Sequence, residues 1–274
     1  MPPALQTVTF SKVSITGGAW ESVSPVSGDS ATFFNVPQGS VAFLAEAWAV
    51  DNLHAAEVSI TASRFHDQTY GIRSSVTSGA ATAPINRSVC LSPIGVDQPI
   101  FPSDVLTVQV NGTASDDVII TLLIYYADLP GIHARLASPE YVKAHTKNLV
   151  GINTNLTPGD GVPGTAVALN AADNRLHANT DYALLGYTSN LAFGSLTVQG
   201  VDTGNLKVGG PVLGLPEHDA MMYFDYAVAY HNQPLIPVIN SNNAGSTNLV
   251  GVGTDVGACV VDVLLAELDG PFLG

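Results

Sequence analysis

The residues that could do chemistry are few and badly spaced for it. Seven histidines occur, His54, His66, His133, His145, His177, His218 and His231, and no two of them are four apart with a neighbouring glutamate, as a helical metal site would need. His66-Asp67 and His218-Asp219 are adjacent pairs, and adjacent residues on a strand point to opposite faces, so neither forms a dyad by spacing. A catalytic centre would require His218, Asp219 and His231 to converge in one pocket. The sequence contains no Gly-x-Ser-x-Gly elbow, no phosphate-binding loop and no dinucleotide fingerprint. The glycines between Gly204 and Gly214 lack a strand-turn-helix context and read as a loop. Asp160-Gly161, within Pro158–Gly164, lacks the further regularly spaced acids of a calcium loop and reads as a turn. Cys90 and Cys259 both sit beside apolar residues and are expected as buried, reduced thiols. The sequons at Asn86, Asn111 and Asn155 are read as incidental. No cofactor, no metal and no catalytic activity are expected.

One charged cluster stands out. Arg135, Lys143 and Lys147 supply three of the nine basic residues, with His133 and His145 beside them. On an acidic chain this segment reads as a docking patch for an acidic neighbour, another copy of the chain included. The alternative is complementarity of the basic residues to a helix C-terminus. The aromatic clusters Tyr125-Tyr126 and Met222-Tyr223-Phe224-Asp225-Tyr226 read as core by their alternation.

Composition narrows the classes. Apolar residues make up 46% and charged residues 12%, about half the usual charged share. A disordered chain is excluded, and part of the surface is expected to be covered by neighbours. Twenty-three acids against nine bases give a net charge of −14, which repels phosphate backbones, so nucleic-acid binding is not expected. No apolar run approaches a membrane span, and the N-terminal residues do not read as a signal peptide.

The elements that must position everything else are strands. Val8-Thr9-Phe10, Val13-Ser14-Ile15, Val41–Val50, Val58-Ser59-Ile60-Thr61, Val105–Val110 and Val118–Tyr126 are short, β-branched or aromatic runs. They are punctuated by Gly, Pro, Asn and Asp, as in a β-sandwich or barrel. Ser138-Pro139-Glu140 opens a helix with an N-cap serine, a proline at the first helical position and an acid in the first turn; it is predicted over 139–148. Pro216–Met222 is at most one further helical turn.

The sequence also resembles itself. Ala127-Asp128-Leu129 and Ala266-Glu267-Leu268 close apolar strands 139 residues apart. Gln98-Pro99-Ile100-Phe101-Pro102 matches Gln233-Pro234-Leu235-Ile236-Pro237 at a spacing of 135. Val41–Leu44 matches Tyr182–Leu185 at 141, and Val58-Ser59-Ile60 matches Leu196-Thr197-Val198 at 138. Preserved order with drifting offsets predicts a duplicated domain rather than a solenoid. The expected organisation is all-β: a first sandwich over 1–131, a linker with a short helix over 132–148, and a second sandwich over 149–274.

Tandem sandwiches of this size with a helix-bearing linker resemble the double jelly-roll capsid proteins of icosahedral viruses and phages. The segment from Tyr182-Ala183-Leu184-Leu185-Gly186-Tyr187 to Asp202–Pro211 is similar to stretches of phage structural proteins. In the double jelly-roll family three chains form a pseudo-hexagonal capsomer. The resemblance therefore implies a self-assembling virion protein. Its partners would be copies of itself, a trimer among them, and other virion proteins, and its place would be the virion assembled in the host cytoplasm. The family carries longer helices between its strands than this sequence does. That departure leaves room for a decoration, cement or fibre-like role, and a carbohydrate- or receptor-binding module on a spike or adhesin is the alternative reading.

Overall fold

The computed structural model describes residues 3–30, 42–51, 56–63, 65, 71–76, 98–171, 175–212, 219–229, 233–253 and 257–273. The fold is all-β with two short helices among these residues. His54, His66, His218, His231, Cys90 and Asn86 lie outside them.

The first half contributes eight strands: β1 (Ala4–Lys12), β2 (Glu21–Pro25), β3 (Ala42–Asp51), β4 (Ala56–Thr61), β5 (Ile72–Val76), β6 (Gln98–Ile100), β7 (Thr107–Asn111) and β8 (Val118–Tyr126). They form two four-stranded layers, β1-β8-β3-β6 and β2-β7-β4-β5, which is jelly-roll order. The layers are continuous at one corner, where Phe10 pairs with Pro25 and Ser11 with Ser24. The core between them is built from alternate residues: Val8 and Phe10 on β1, Leu44 and Ala47 on β3, Val58 and Ile60 on β4, and Val118, Ile120, Leu122 and Ile124 on β8.

The second half opens with β9 (Leu136–Ala137) and α1 (Pro139–His145). It continues with β10 (Thr146–Leu156), β11 (Gly159–Asp160), β12 (Val167–Ala168), β13 (Asp181–Ser189), β14 (Phe193–Gln199), β15 (Val208–Val212), α2 (Met222–Ala229), β16 (Ile236–Asn240), β17 (Asn248–Gly253) and β18 (Cys259–Leu268). Its layers run β10-β18-β13-β16-β9 and β11-β17-β14-β15, so the strand order of the first half recurs. So does a detail of register. β3 carries a one-residue bulge between Leu44 and Glu46, and β13 carries one between Leu184 and Gly186.

Anchored on these bulges, the equivalences differ from those matched by sequence. Leu44 pairs with Ile124 and Leu184 with Leu265, so β8 and β18 correspond at a spacing of 141, not 139, and Asp128 corresponds to Asp269 rather than Glu267. Phe43 pairs with Pro99 and Ala183 with Val238, which sets β6 and β16 139 apart, not 135. Gln233-Pro234 precedes β16 and has no counterpart in Gln98-Pro99. Leu44 matches Leu184 at 140 rather than Leu185 at 141.

The two jelly rolls dock sheet on sheet. The outward face of β1, β8 and β3 lies on β14 and β15 of the second half. This explains why β8 reads as an unbroken apolar run: its even-numbered residues face their own core, while Ile119, Thr121 and Leu123 face the other jelly roll. Leu5, Ala45, Trp48 and Leu123 belong to the second half's core cluster. The rest of the seam is hydroxyls and glycines. Thr7 Oγ1 donates to the Gly209 carbonyl at 2.8 Å and accepts from the Gly209 amide at 2.7 Å. Thr121 Oγ1 donates to the Gly194 carbonyl at 3.0 Å, and the Thr9 and Ser195 hydroxyls share a hydrogen bond at 3.1 Å. At one margin Lys207 Nζ donates to Asp29 Oδ1 at 2.7 Å while the Thr9 amide donates to Oδ2 at 2.7 Å. Burial nevertheless pushes the Asp29 carboxyl above its ordinary pKa, against the pull of Lys207 and the Thr9 amide.

Both helices differ from expectation in an informative way. α1 stops at His145 rather than running to 148, because Thr146 turns extended and starts β10, its hydroxyl donating to the Val142 carbonyl at 2.6 Å. The second helix, expected as at most one turn ending at Met222, runs instead over Met222–Ala229 and takes in the Tyr223-Phe224-Asp225-Tyr226 run. α2 packs on β13 and β16, with its lead-in so close that a Cβ at Gly186 would lie 2.1 Å from the Asp219 carbonyl oxygen.

Close approach across the seam depends on Gly194, where a Cβ would come within 2.6 Å of Ile119 Cβ. Gly194→Ala should therefore destabilise the protein by about 1–3 kcal/mol, read as a lower urea midpoint. A variant as stable as the parent would show that the jelly rolls are not pressed together here.

Candidate functional site: the linker clamp and its cleft

The sequence placed a docking patch at Arg135, Lys143 and Lys147. The structure puts all three around one end of the second jelly roll, each facing a group of the same chain. The linker is itself part of that jelly roll. β9 pairs with β16, Ile236 opposite Ala137, and Ala134 bridges Thr203.

Arg135 is the centre of a polar clamp. Its guanidinium donates to both oxygens of Asp181 at 2.9 and 2.8 Å and to the Phe272 carbonyl at 3.0 Å, and it lies 3.6 Å from Asp202 Oδ1. Asp181 also accepts from the Phe272 amide at 2.7 Å and from Asn240 Nδ2 at 2.7 Å. Asp202 accepts from the Asn240 amide and from Asn243 Nδ2. Burial would raise the Asp181 carboxyl, but Arg135, the Phe272 amide and Asn240 together hold it below the ordinary value. One bidentate ion pair thus ties the linker, β13 and the segment after β18 together. The Phe272 ring completes it, edge-on to Tyr141 of α1 and beneath the guanidinium.

Lys147 and Glu267 form the second fixture. Glu267 is a buried carboxylate at the end of β18. It accepts from Asn148 Nδ2 at 3.1 Å and Lys147 Nζ at 3.0 Å, with His177 Nδ1 at 3.4 Å. Asn148 and Lys147, with His177, outweigh burial and hold its pKa down to about 2. His145 Nδ1 faces Asp269 Oδ1 at 2.9 Å. Lys143 places its ammonium 5.1 Å from the centre of the Phe224 ring on α2. Between these fixtures lies a cleft of about 370 Å³ lined by Lys147, Asn179, Thr180, Asp181, Glu267 and Asp269 among others. Its carboxylates already accept from side chains of the same chain. Among the described residues, no three of His, Cys, Asp and Glu are arranged to hold a metal ion.

The remaining candidates are dispersed. Cys259 is buried, and burial raises its thiol. Asp219, the described member of the His218–Asp219–His231 combination, is buried beside α2. Tyr223 and Tyr226 are core. Tyr223 hydroxyl pairs with that of Tyr187 and donates to the Val208 carbonyl at 2.9 Å, and Tyr226 packs on Trp48 across the seam. The clamp itself escaped sequence reading because Asp181, Asp202 and Phe272 are distant from Arg135 along the chain and carry no spacing signal.

Glu267 gives the clamp a pH dependence. Its folded pKa, about 2, lies below the ordinary 4.5, so its contribution is present above pH 4.5 and fades as the pH falls towards 2. Glu267→Gln should cost about 2 kcal/mol at pH 7. Against wild type, the deficit should shrink between pH 4.5 and 2, as measured by urea denaturation at each pH.

No family model and no curated protein matches this chain. Among solved structures, a virus-like particle of the extra small virus of the giant freshwater prawn Macrobrachium rosenbergii is similar at 14% identity and a TM-score of 0.27, over 46% of this chain and 80% of that one. YhaK from Escherichia coli is similar at 10% identity and a TM-score of 0.24, over 95% and 86%. The STIV MCP is similar at 9% identity and a TM-score of 0.22, over 98% of each chain. Likeness at this level carries no argument, and the jelly-roll description rests on strand order alone.

Proposed function

We propose that this protein is a virion structural protein, a capsid subunit that assembles with copies of itself, and that its two jelly rolls arose by duplication. The observation that carries the reading is the docking of one jelly roll on the other through a face of short hydroxyl, glycine and apolar residues. Jelly rolls serve as viral capsid, lectin and cupin domains. Here one sheet face already works as a protein–protein contact. A chain that is 46% apolar and 12% charged has surface suited to more of the same. A glycan-binding role would want an aromatic face open to a sugar. Trp20 instead has the Arg73 guanidinium 5.0 Å over its ring, and Trp48 is buried in the seam.

Light scattering over a range of concentration and ionic strength tests the reading. Defined trimers or larger particles are expected, favoured by salt because screening weakens the repulsion between subunits of charge −14. A strict monomer at high concentration in high salt would sink it. Within this reading the exposed Lys143 is the linker residue that meets an acidic neighbour. Lys143→Glu, which leaves the Glu267 fixture intact, should weaken assembly at low salt and not at high salt; equal assembly at both would remove the linker from the interface.

A further inference from the structure

The chain beyond β18 is fastened by side chains rather than by strand pairing. β18 ends at Leu268, and Asp269–Leu273 continues as a strap along α1 and the clamp. It has two anchors. Asp269 donates its amide to the His145 carbonyl at 2.9 Å and sets its Oδ1 2.9 Å from His145 Nδ1. Phe272 donates its amide to Asp181 Oδ2 at 2.7 Å and accepts from Arg135 Nη2 at 3.0 Å. The Phe272 ring, 9% exposed, is edge-on to Tyr141, whose own ring lies 4.3 Å from that of His145. Between the anchors the strap is loosely surrounded. A Cβ at Gly270 would meet nothing within 4 Å, and Pro271 is exposed. Leu273, past the second anchor, is 91% exposed.

Arg135, Tyr141 and Asp181, from the linker, α1 and β13, thus form a pocket that receives a phenylalanine ring together with its own amide and carbonyl. None of these contacts requires Phe272 to come from the same chain. The identical segment of another copy would make them equally well, which is why exchange of an element between copies costs little. Geometry limits where this can happen. The four residues Asp269–Phe272, fully extended, span at most about 14 Å, so a strap reaches only a pocket close to the end of its own β18. Strap and pocket lie at the same end of the second jelly roll, so two copies that meet there end to end present each strap to the other's pocket. In a dilute copy the short tether favours closure within the chain; in an assembly the neighbouring pocket competes at a similar effective concentration.

We propose that in the assembled protein the pocket of Arg135, Tyr141 and Asp181 takes Phe272 of a second copy, the two straps being exchanged about a two-fold axis. The inference rests on the self-assembly proposed above. The contact is isologous, so it joins copies in pairs within a larger assembly. Contacts that a lone copy makes within itself become contacts between chains, and their effect falls on the rate of dissociation.

The test follows dissociation of assembled protein after dilution by light scattering, with circular dichroism and thermal melting to check that each variant folds. Phe272→Ala removes the ring of the strap and Tyr141→Ala the ring of the pocket. His145→Ala, which removes the partner of Asp269 on the receiving side, takes the place of Tyr141→Ala should that variant not fold. Each variant alone should dissociate about tenfold faster than wild type. Particles assembled from an equal mixture of Phe272→Ala and Tyr141→Ala should regain a slow phase, because the intact strap of one copy meets the intact pocket of the other. A mixture as fast as its components, or single variants as slow as wild type, would overturn the exchange and leave self-assembly standing. Wild type that never assembles would overturn the proposed function, and this inference with it.

Discussion

Everything in this molecule depends on a β-sheet that is buried on both sides. β8 belongs to one layer of the first jelly roll and packs against the second jelly roll at once, so its side chains cannot alternate between apolar and polar as those of a solvent-facing strand do. The seam it makes is not a greasy one. Threonine and serine hydroxyls bond to backbone and to each other across it, and Gly194 lets the second jelly roll approach Ile119 of the first. A face of short side chains is flat, and two flat twisted sheets can lie against each other without deep interdigitation. The leucines, Ile119 and Trp48 supply the apolar burial; the hydroxyls fix the register, because a slipped sheet would leave buried polar groups unbonded.

The linker follows from the same economy of charge. Three of its bases face acceptors or an aromatic ring of their own chain, so a locally basic segment in sequence becomes a fastening in space. Arg135 suits its position because a planar guanidinium serves both Asp181 oxygens and the Phe272 carbonyl at once, which a lysine could not. Glu267 is tolerated in a buried position because an amide, an ammonium and an imidazole surround it. These fixtures hold one end of the second jelly roll, where Lys147 and Asn148 open β10.

The two halves share strand order and bulge but differ in what covers them. In the first half the β1–β8 face is covered by another jelly roll; in the second, α1 and α2 lie against β18, β13 and β16 and leave Leu149 in solvent.

By itself the sequence determined the strand-rich fold and the start of α1, because these are written in local chemistry: β-branched runs between turn residues, and serine, proline and glutamate in order. It also determined the acidity and scarcity of charge. It did not determine the correspondence between the halves. Gln-Pro-x-x-Pro recurs by coincidence at a spacing of 135, while β6 and β16 correspond at 139 and the bulges of β3 and β13 at 140. Register is set by the hydrophobic pattern and turn geometry rather than by residue identity, and the two bulges accordingly carry different residues, Ala45 and Leu185. The sequence also ended the second helical turn at Met222 and read the aromatic run only as core, whereas α2 runs over Met222–Ala229 with Met222, Tyr223, Tyr226 and Ala227 on its buried face and Asp225 and Val228 exposed. The fate of Arg135, Lys143 and Lys147, and the exposure of Leu149, were decided by the tertiary structure alone. A charge is a docking group or a clamp, and a leucine is core or surface, according to what the fold brings against it from far along the chain.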